Sequence, residues 1–166
     1  VERLVPAGKG GWESAWIAAQ QALVEQRWRD AAEAFDRLSL TEPGKEPYLG
    51  YDVETLLGRG VAYLRAGKSH RGLALSDFGA AAQNWKDWLE PVLFKGRLLY
   101  SSGEIQETRK LFDRCFQRAL GGWAQYSKDE VAGAILSVYM EAGDWREALF
   151  WADKMSESFA KLISKA

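Results

Sequence analysis

The chain has 166 residues, 47% of them apolar and 27% charged, with a formal net charge of −1. That length suits one folded domain with a sizeable core, and that charge balance excludes the basic footprint of a nucleic-acid binder. A single cysteine excludes an internal disulfide or a zinc cluster, and no apolar run nears the roughly 20 residues of a membrane span.

In chain order, residues 1–11 hold Pro6, Gly8, Gly10 and Gly11 and read as an irregular lead-in. Residues 12–166 read as a single helical domain. Residues 12–25 place Trp12, Ala15, Trp16, Ala19 and Leu23 at helical spacing. Residues 28–40 place Trp28, Ala31, Ala32, Phe35 and Leu38 on one stripe. Pro43-Gly44 and Pro47 then mark the longest loop, residues 41–50. Further helices are predicted over 53–66, 73–84, 89–101, 105–120 and 129–141, and a last, longest one over 145–163. Residues 68–72 read as a turn between the third and fourth. Gly121-Gly122 ends the sixth, as residues tolerant of a left-handed backbone do. No segment alternates with period two between turn signals, so no strand is expected. The class is all-α, eight helices in four hairpins.

The hairpins share a pattern. Turn positions fall at Gln26, Gly67, Gly103 and Gly143, at intervals of 41, 36 and 40 residues. Small residues recur at Ala31, Gly60, Ala74, Gly96 and Ala148, where two helices must approach closely. Rings recur at Phe35, Tyr63, Phe78 and Phe112, where space between neighbouring hairpins must be filled. Across residues 12–160 this resembles the tetratricopeptide repeat, with its Gly-x-x-Tyr in the first helix, an Ala and an aromatic in the second, and a closing Pro such as Pro43. Gln26 replaces a turn Gly, Thr108 an Ala and Leu136 a first-helix Gly, and the intervals exceed the family's period of about 34. Armadillo-like and other helical solenoids are related alternatives. The resemblance implies an α-solenoid of about four hairpins in a right-handed superhelix, in which stacking buries the apolar face that each hairpin alone leaves bare.

Glu13, Glu54, Glu90 and Glu130 stand near the starts of the first helices. Two complete a capping-box pattern, Asp87-x-x-Glu90 and Ser127-x-x-Glu130. Capping and the helix dipole explain this acidic row without a basic ligand.

The chain is expected not to be an enzyme. His70 is the lone histidine, in a turn beside Lys68 and Arg71, with no base and orienting group around it. Cys115 falls where the repeat takes a small buried residue. Gly8-Lys9-Gly10-Gly11 lacks the spacing of a phosphate loop. No metal or cofactor site is expected.

The resemblance instead implies a concave groove lined by the first helices. Its inward positions are Trp16, Gln20, Leu23, Leu57, Val61, Leu64, Arg65, Leu93, Arg97, Tyr100, Ser137 and Met140. An apolar floor with two arginines suits a peptide with apolar anchors and a carboxylate. The alternative is that part of this set is internal packing and that Arg65 and Arg97 pair with neighbouring glutamates. The carboxylate-clamp subclass needs Lys and Asn on these faces, and Asn84 is the only Asn in the chain.

The function expected is a scaffold that holds a peptide or partner protein, in assembly or co-chaperone work. The competing expectation is an oligomerisation or structural segment of a longer helical-repeat protein. Phe150, Trp151, Phe159, Leu162 and Ile163 would supply its interface, to a second copy or another chain. Neither nucleic acid nor membrane insertion is expected. The chain opens at Val1 without a Met or signal-type segment, which reads as a trimmed or processed start. The compartment is open, a soluble cytoplasmic setting being favoured.

Overall fold

A computed structural model describes residues 12–39, 53–123 and 125–155. The lead-in, the loop over residues 41–50 and the chain beyond Met155 lie outside them. The elements are α1 (Trp12–Val24), α2 (Trp28–Ser39), α3 (Val53–Ala66), α4 (Arg71–Asn84), α5 (Glu90–Ser101), α6 (Ile105–Leu120), α7 (Lys128–Glu141) and α8 (Trp145–Ala152). One 3-10 turn, Lys68–His70, precedes α4, and no strand occurs among the described residues. The protein is all-helical, as its patterning predicts.

The chain divides into two compact units, Val1–Trp85 and Lys86–Ala166. In the first, α1 packs on α2, α2 on α3 and α3 on α4, and α1 also touches α3. In the second, α5 packs on α6, α6 on α7 and α7 on α8, and α5 also touches α7. Each unit is therefore two hairpins with their first helices side by side.

Three hairpin turns are built alike. At the first, Arg27 N–H donates to Ala22 C=O at 2.8 Å and Gln26 N–H to Leu23 C=O at 3.1 Å. Glu104 donates to Leu99 at 3.0 Å and Gly103 to Tyr100 at 2.9 Å. Asp144 donates to Tyr139 at 2.9 Å and Gly143 to Met140 at 3.0 Å. This pair of bonds is the Schellman motif, which satisfies the orphan carbonyls at a helix end and needs a left-handed residue. Gly103 and Gly143 supply it at φ 82° and 75°, and Gln26 is forced into the same region at φ 58°.

The cores rest on rings seated over glycines. A Cβ on Gly60 would stand 2.5 Å from the Phe78 ring, and one on Gly58 would stand 2.5 Å from Phe35. In the second unit a Cβ on Gly96 would clash with the Phe112 ring. Phe78 and Phe112 thus fill space within their own hairpins, while Phe35 of α2 reaches α3 of the next hairpin. Phe112 also meets Tyr139 of the following hairpin edge-on at 5.7 Å. Ala31, Ala74 and Ala148 are buried at the small-residue positions. Thr108 is buried in the place of an Ala because its hydroxyl donates to Glu104 C=O at 2.9 Å.

Three local expectations are corrected. The fourth helix starts at Arg71, because residues 68–70 coil into a 3-10 turn that leads straight into it. The last helix ends at Ala152: Lys154 and Met155 N–H donate three residues back, to Trp151 and Ala152, which tightens and closes the helix. At α5 the cap residue is Leu89 and no side chain caps it. Asp87 instead receives Arg118 Nη2 at 2.5 Å, and Pro91 in the first turn has no N–H to satisfy. The second capping box forms in full: Ser127 Oγ accepts from Glu130 N–H at 3.2 Å, and Glu130 Oε2 accepts from Ser127 N–H at 2.7 Å.

Candidate functional site

In the first unit the contact between α1 and α3 places their faces side by side. Trp16 and Leu23 lean on the Phe35 core, Trp16 meeting that ring edge-on at 6.0 Å. Leu57 leans on the core around Leu56. Gln20 and Val61 are half-exposed, and Leu64 and Arg65 are exposed. The groove-facing set is thus part core, part accessible surface.

Arg65 also lines an open cleft of about 330 Å³ with Arg27, Trp28, Arg29, Asp30 and Ala66. The repeat register points to Arg65 but not to these neighbours. The available signal was Arg27-Trp28-Arg29 at a hairpin turn, a ring flanked by two cations.

Buried beside this face, Arg59 grips Asp77 at two points, Nη2–Oδ1 at 2.6 Å and Nε–Oδ2 at 2.8 Å. Tyr63 donates to Asp36 Oδ1 at 2.6 Å. Burial pushes the Asp77 carboxyl up, against the pull of Arg59. Burial, with the bond to Asp36, pushes the Tyr63 phenol up. These groups tie α2, α3 and α4 together.

In the second unit α5 and α7 adjoin in the same way. Arg97 is not unpartnered: Nε and Nη2 donate to the two carboxylate oxygens of Glu141 at 2.9 and 3.0 Å. The pairing alternative therefore holds for Arg97, whereas no carboxylate among the described residues pairs with Arg65. Leu93 and Tyr100 lean on the core, and Tyr100 donates to Asp144 Oδ2 at 2.6 Å. That bond, with burial, pushes the Tyr100 phenol up to about 12. Ser137 and Met140 are exposed.

On α8, Phe150 is 50% exposed but Trp151 is 1% exposed and packs edge-on against Phe116 at 5.5 Å. Trp151 is core rather than interface, because α8 turns that side onto α7 and α6. Trp145 and Leu149 are exposed beside Phe150. Phe159, Leu162 and Ile163 lie outside the described residues.

Cys115 is buried, and burial pushes its thiol up to about 11. It is protonated at neutral pH and unsuited to nucleophilic attack. The His70 ring stacks on Tyr63, with centroids 5.9 Å apart. Among the described residues no group of His, Cys, Asp or Glu is placed to hold a metal, and no helix is long and apolar enough to cross a membrane. The chain matches no protein-family model and no curated protein.

Proposed function

We propose that this protein is a binding scaffold of the tetratricopeptide kind, holding a peptide or partner protein on the faces of α1 and α3 and of α5 and α7. The four hairpins are, in this reading, the repeats of a right-handed superhelix, and these faces its concave side. The observation that carries it is the adjacency of first helices in each unit, with accessible apolar and polar side chains along them. The three like-built turns and the glycine–ring pairs support the repeat reading. Assembly or co-chaperone work is the setting that such a surface suits. Apolar anchors such as Leu64 and Met140 supply desolvation energy, and polar neighbours fix register.

The experiment is a selection of peptides from a random library, followed by affinity measurements on Leu64→Glu and Met140→Glu. A charge on either face should weaken the selected peptide tenfold or more. Leu120→Glu, at an exposed position on α6, should leave affinity unchanged. The reverse pattern removes the reading.

A second reading is an oligomerisation or structural segment. The exposed apolar side of α8, Trp145, Leu149 and Phe150, favours it. Light scattering across a concentration series separates the two.

A further inference from the structure

The cleft at the edge of the first unit has a chemistry that the half-exposed faces lack. Its lining residues include three arginines, Arg27, Arg29 and Arg65, and one aspartate, Asp30, around about 330 Å³. Arg27 is already committed. Its Nη1 lies 2.5 Å from Asp30 Oδ2 and its Nε 2.7 Å from Glu25 Oε2. Its single positive charge is shared between these two acids, so that with Arg29 and Arg65 the five side chains carry a net charge of about +1. Arg29 and Arg65 are left exposed, and no carboxylate among the described residues pairs with either. Two like charges facing one cleft repel, and an anion between them removes that repulsion.

The helix ends do not decide the matter. Trp28, Arg29 and Asp30 open α2, and a helix start favours an anion; Arg65 and Ala66 close α3, and a helix end opposes one. Their dipole effects are similar in size and opposite in sign. The two guanidiniums therefore set the preference.

We infer that this cleft binds a doubly anionic group on a partner peptide, either a phosphate monoester or two neighbouring carboxylates. A guanidinium is planar and offers parallel N–H donors that match two oxygens. Two such forks suit two negative charges better than one. The half-buried Trp28 indole gives the carbon skeleton carrying the anion an apolar wall. The site stands on the cleft alone and does not require the peptide to lie on α1 and α3.

The test is a titration of the isotope-labelled full chain at constant ionic strength, followed by amide NMR. The probes are inorganic phosphate, a phosphoserine peptide and the same peptide with Glu-Glu at that place. Saturable shifts are expected at Trp28, Arg29, Arg65 and Ala66. Arg29→Gln and Arg65→Gln should each weaken binding about tenfold, and Arg37→Gln, on the exposed end of α2, should not. Saturation by phosphate and phosphopeptide makes the ligand a phosphate. Saturation by the diacidic peptide alone makes it a carboxylate pair. Melting curves establish that the variants fold, and should one fail, the other carries the comparison. No saturable shift with any probe, or affinity unchanged in both variants, overturns the inference.

Discussion

Arg97 on α5 and Glu141 on α7 are joined by two parallel hydrogen bonds, 2.9 and 3.0 Å long, across 44 residues of sequence. The pair is open to solvent, with side chains 36% and 60% exposed. Arg59 and Asp77 make the same two-point contact with side chains only 15% and 8% exposed. Solvent decides what each is worth. Arg97→Gln should cost under about 1 kcal/mol, as exposed pairs do. Arg59→Ala should cost about 3–5 kcal/mol, because it strands a buried carboxylate. Urea denaturation of both variants checks the contrast. Equal losses would show that burial is not the controlling difference.

Gln26 holds a left-handed backbone at φ 58° in a turn where the equivalent residues are Gly103 and Gly143. A side chain there costs about 1–2 kcal/mol of backbone strain. Gly releases the strain and gives back about half in the entropy of the unfolded chain. Gln26→Gly should therefore raise the melting temperature by a few degrees. A fall would mean that the Gln26 side chain contributes more than its backbone costs.

The glycine–ring contacts forecast opposite signs for one substitution. Gly60→Ala would drive a methyl to 2.5 Å from Phe78 and should cost about 1–3 kcal/mol by overpacking. A methyl group on Gly72 in α4 would meet only open space. Gly72→Ala should stabilise by about 0.4–1 kcal/mol. Ala31→Leu and Ala148→Leu, at residues 0% and 4% exposed, should destabilise like Gly60→Ala. Denaturation midpoints of the four variants test the register directly, and an unmoved midpoint for Ala31→Leu or Ala148→Leu would place that residue wrongly.

Acid should weaken the fold in a defined window. Bonds from Ser127 lower Glu130 below its ordinary 4.5, and bonds from Tyr100 and the Glu147 amide lower Asp144 below its ordinary 3.8. A carboxyl lowered in the folded state stabilises fully above its unfolded value and loses that contribution as pH falls through the folded one. Asp77, raised by burial, works in the opposite sense. Stability should be level above about pH 5 and fall as pH drops below the ordinary carboxyl range. In Ser127→Ala the fall should be slightly shallower, since Glu130 loses the bond from the hydroxyl and keeps the one from the backbone N–H of residue 127. An unchanged slope would mean that the capping box is not formed in solution.

Much of the fold was legible because its signals are local. Gly67, Gly103 and Gly143 mark turns through backbone freedom, and Ser127 with Glu130 marks a helix start within four residues. The pairings were not legible. Arg97 finds Glu141, Arg109 finds Glu147 and Arg118 finds Asp87 across 30 residues or more. Spacing along one helix carries no information about such partners. The same long-range competition removed Asp87 from its expected cap. Trp151 and Phe150 are adjacent in sequence and both aromatic, yet one is buried and the other exposed. Only the angle at which α8 meets its neighbours separates them. The cleft at Arg29 and Arg65 joins α2 to α3, and Arg27-Trp28-Arg29 marks only the α2 side of it, since spacing within α3 does not single out Arg65 as its neighbour.

Whether a ligand lies on the faces of the first helices can be read by photocrosslinking. A benzoylphenylalanine is placed singly at Leu64, Met140, Leu120 or Leu149, and the ligand is a peptide selected from a random library. A ligand on those faces gives crosslinks from Leu64 or Met140 and none from Leu120 or Leu149. Crosslinks confined to Leu120 on α6 or Leu149 on α8 would contradict the proposed site.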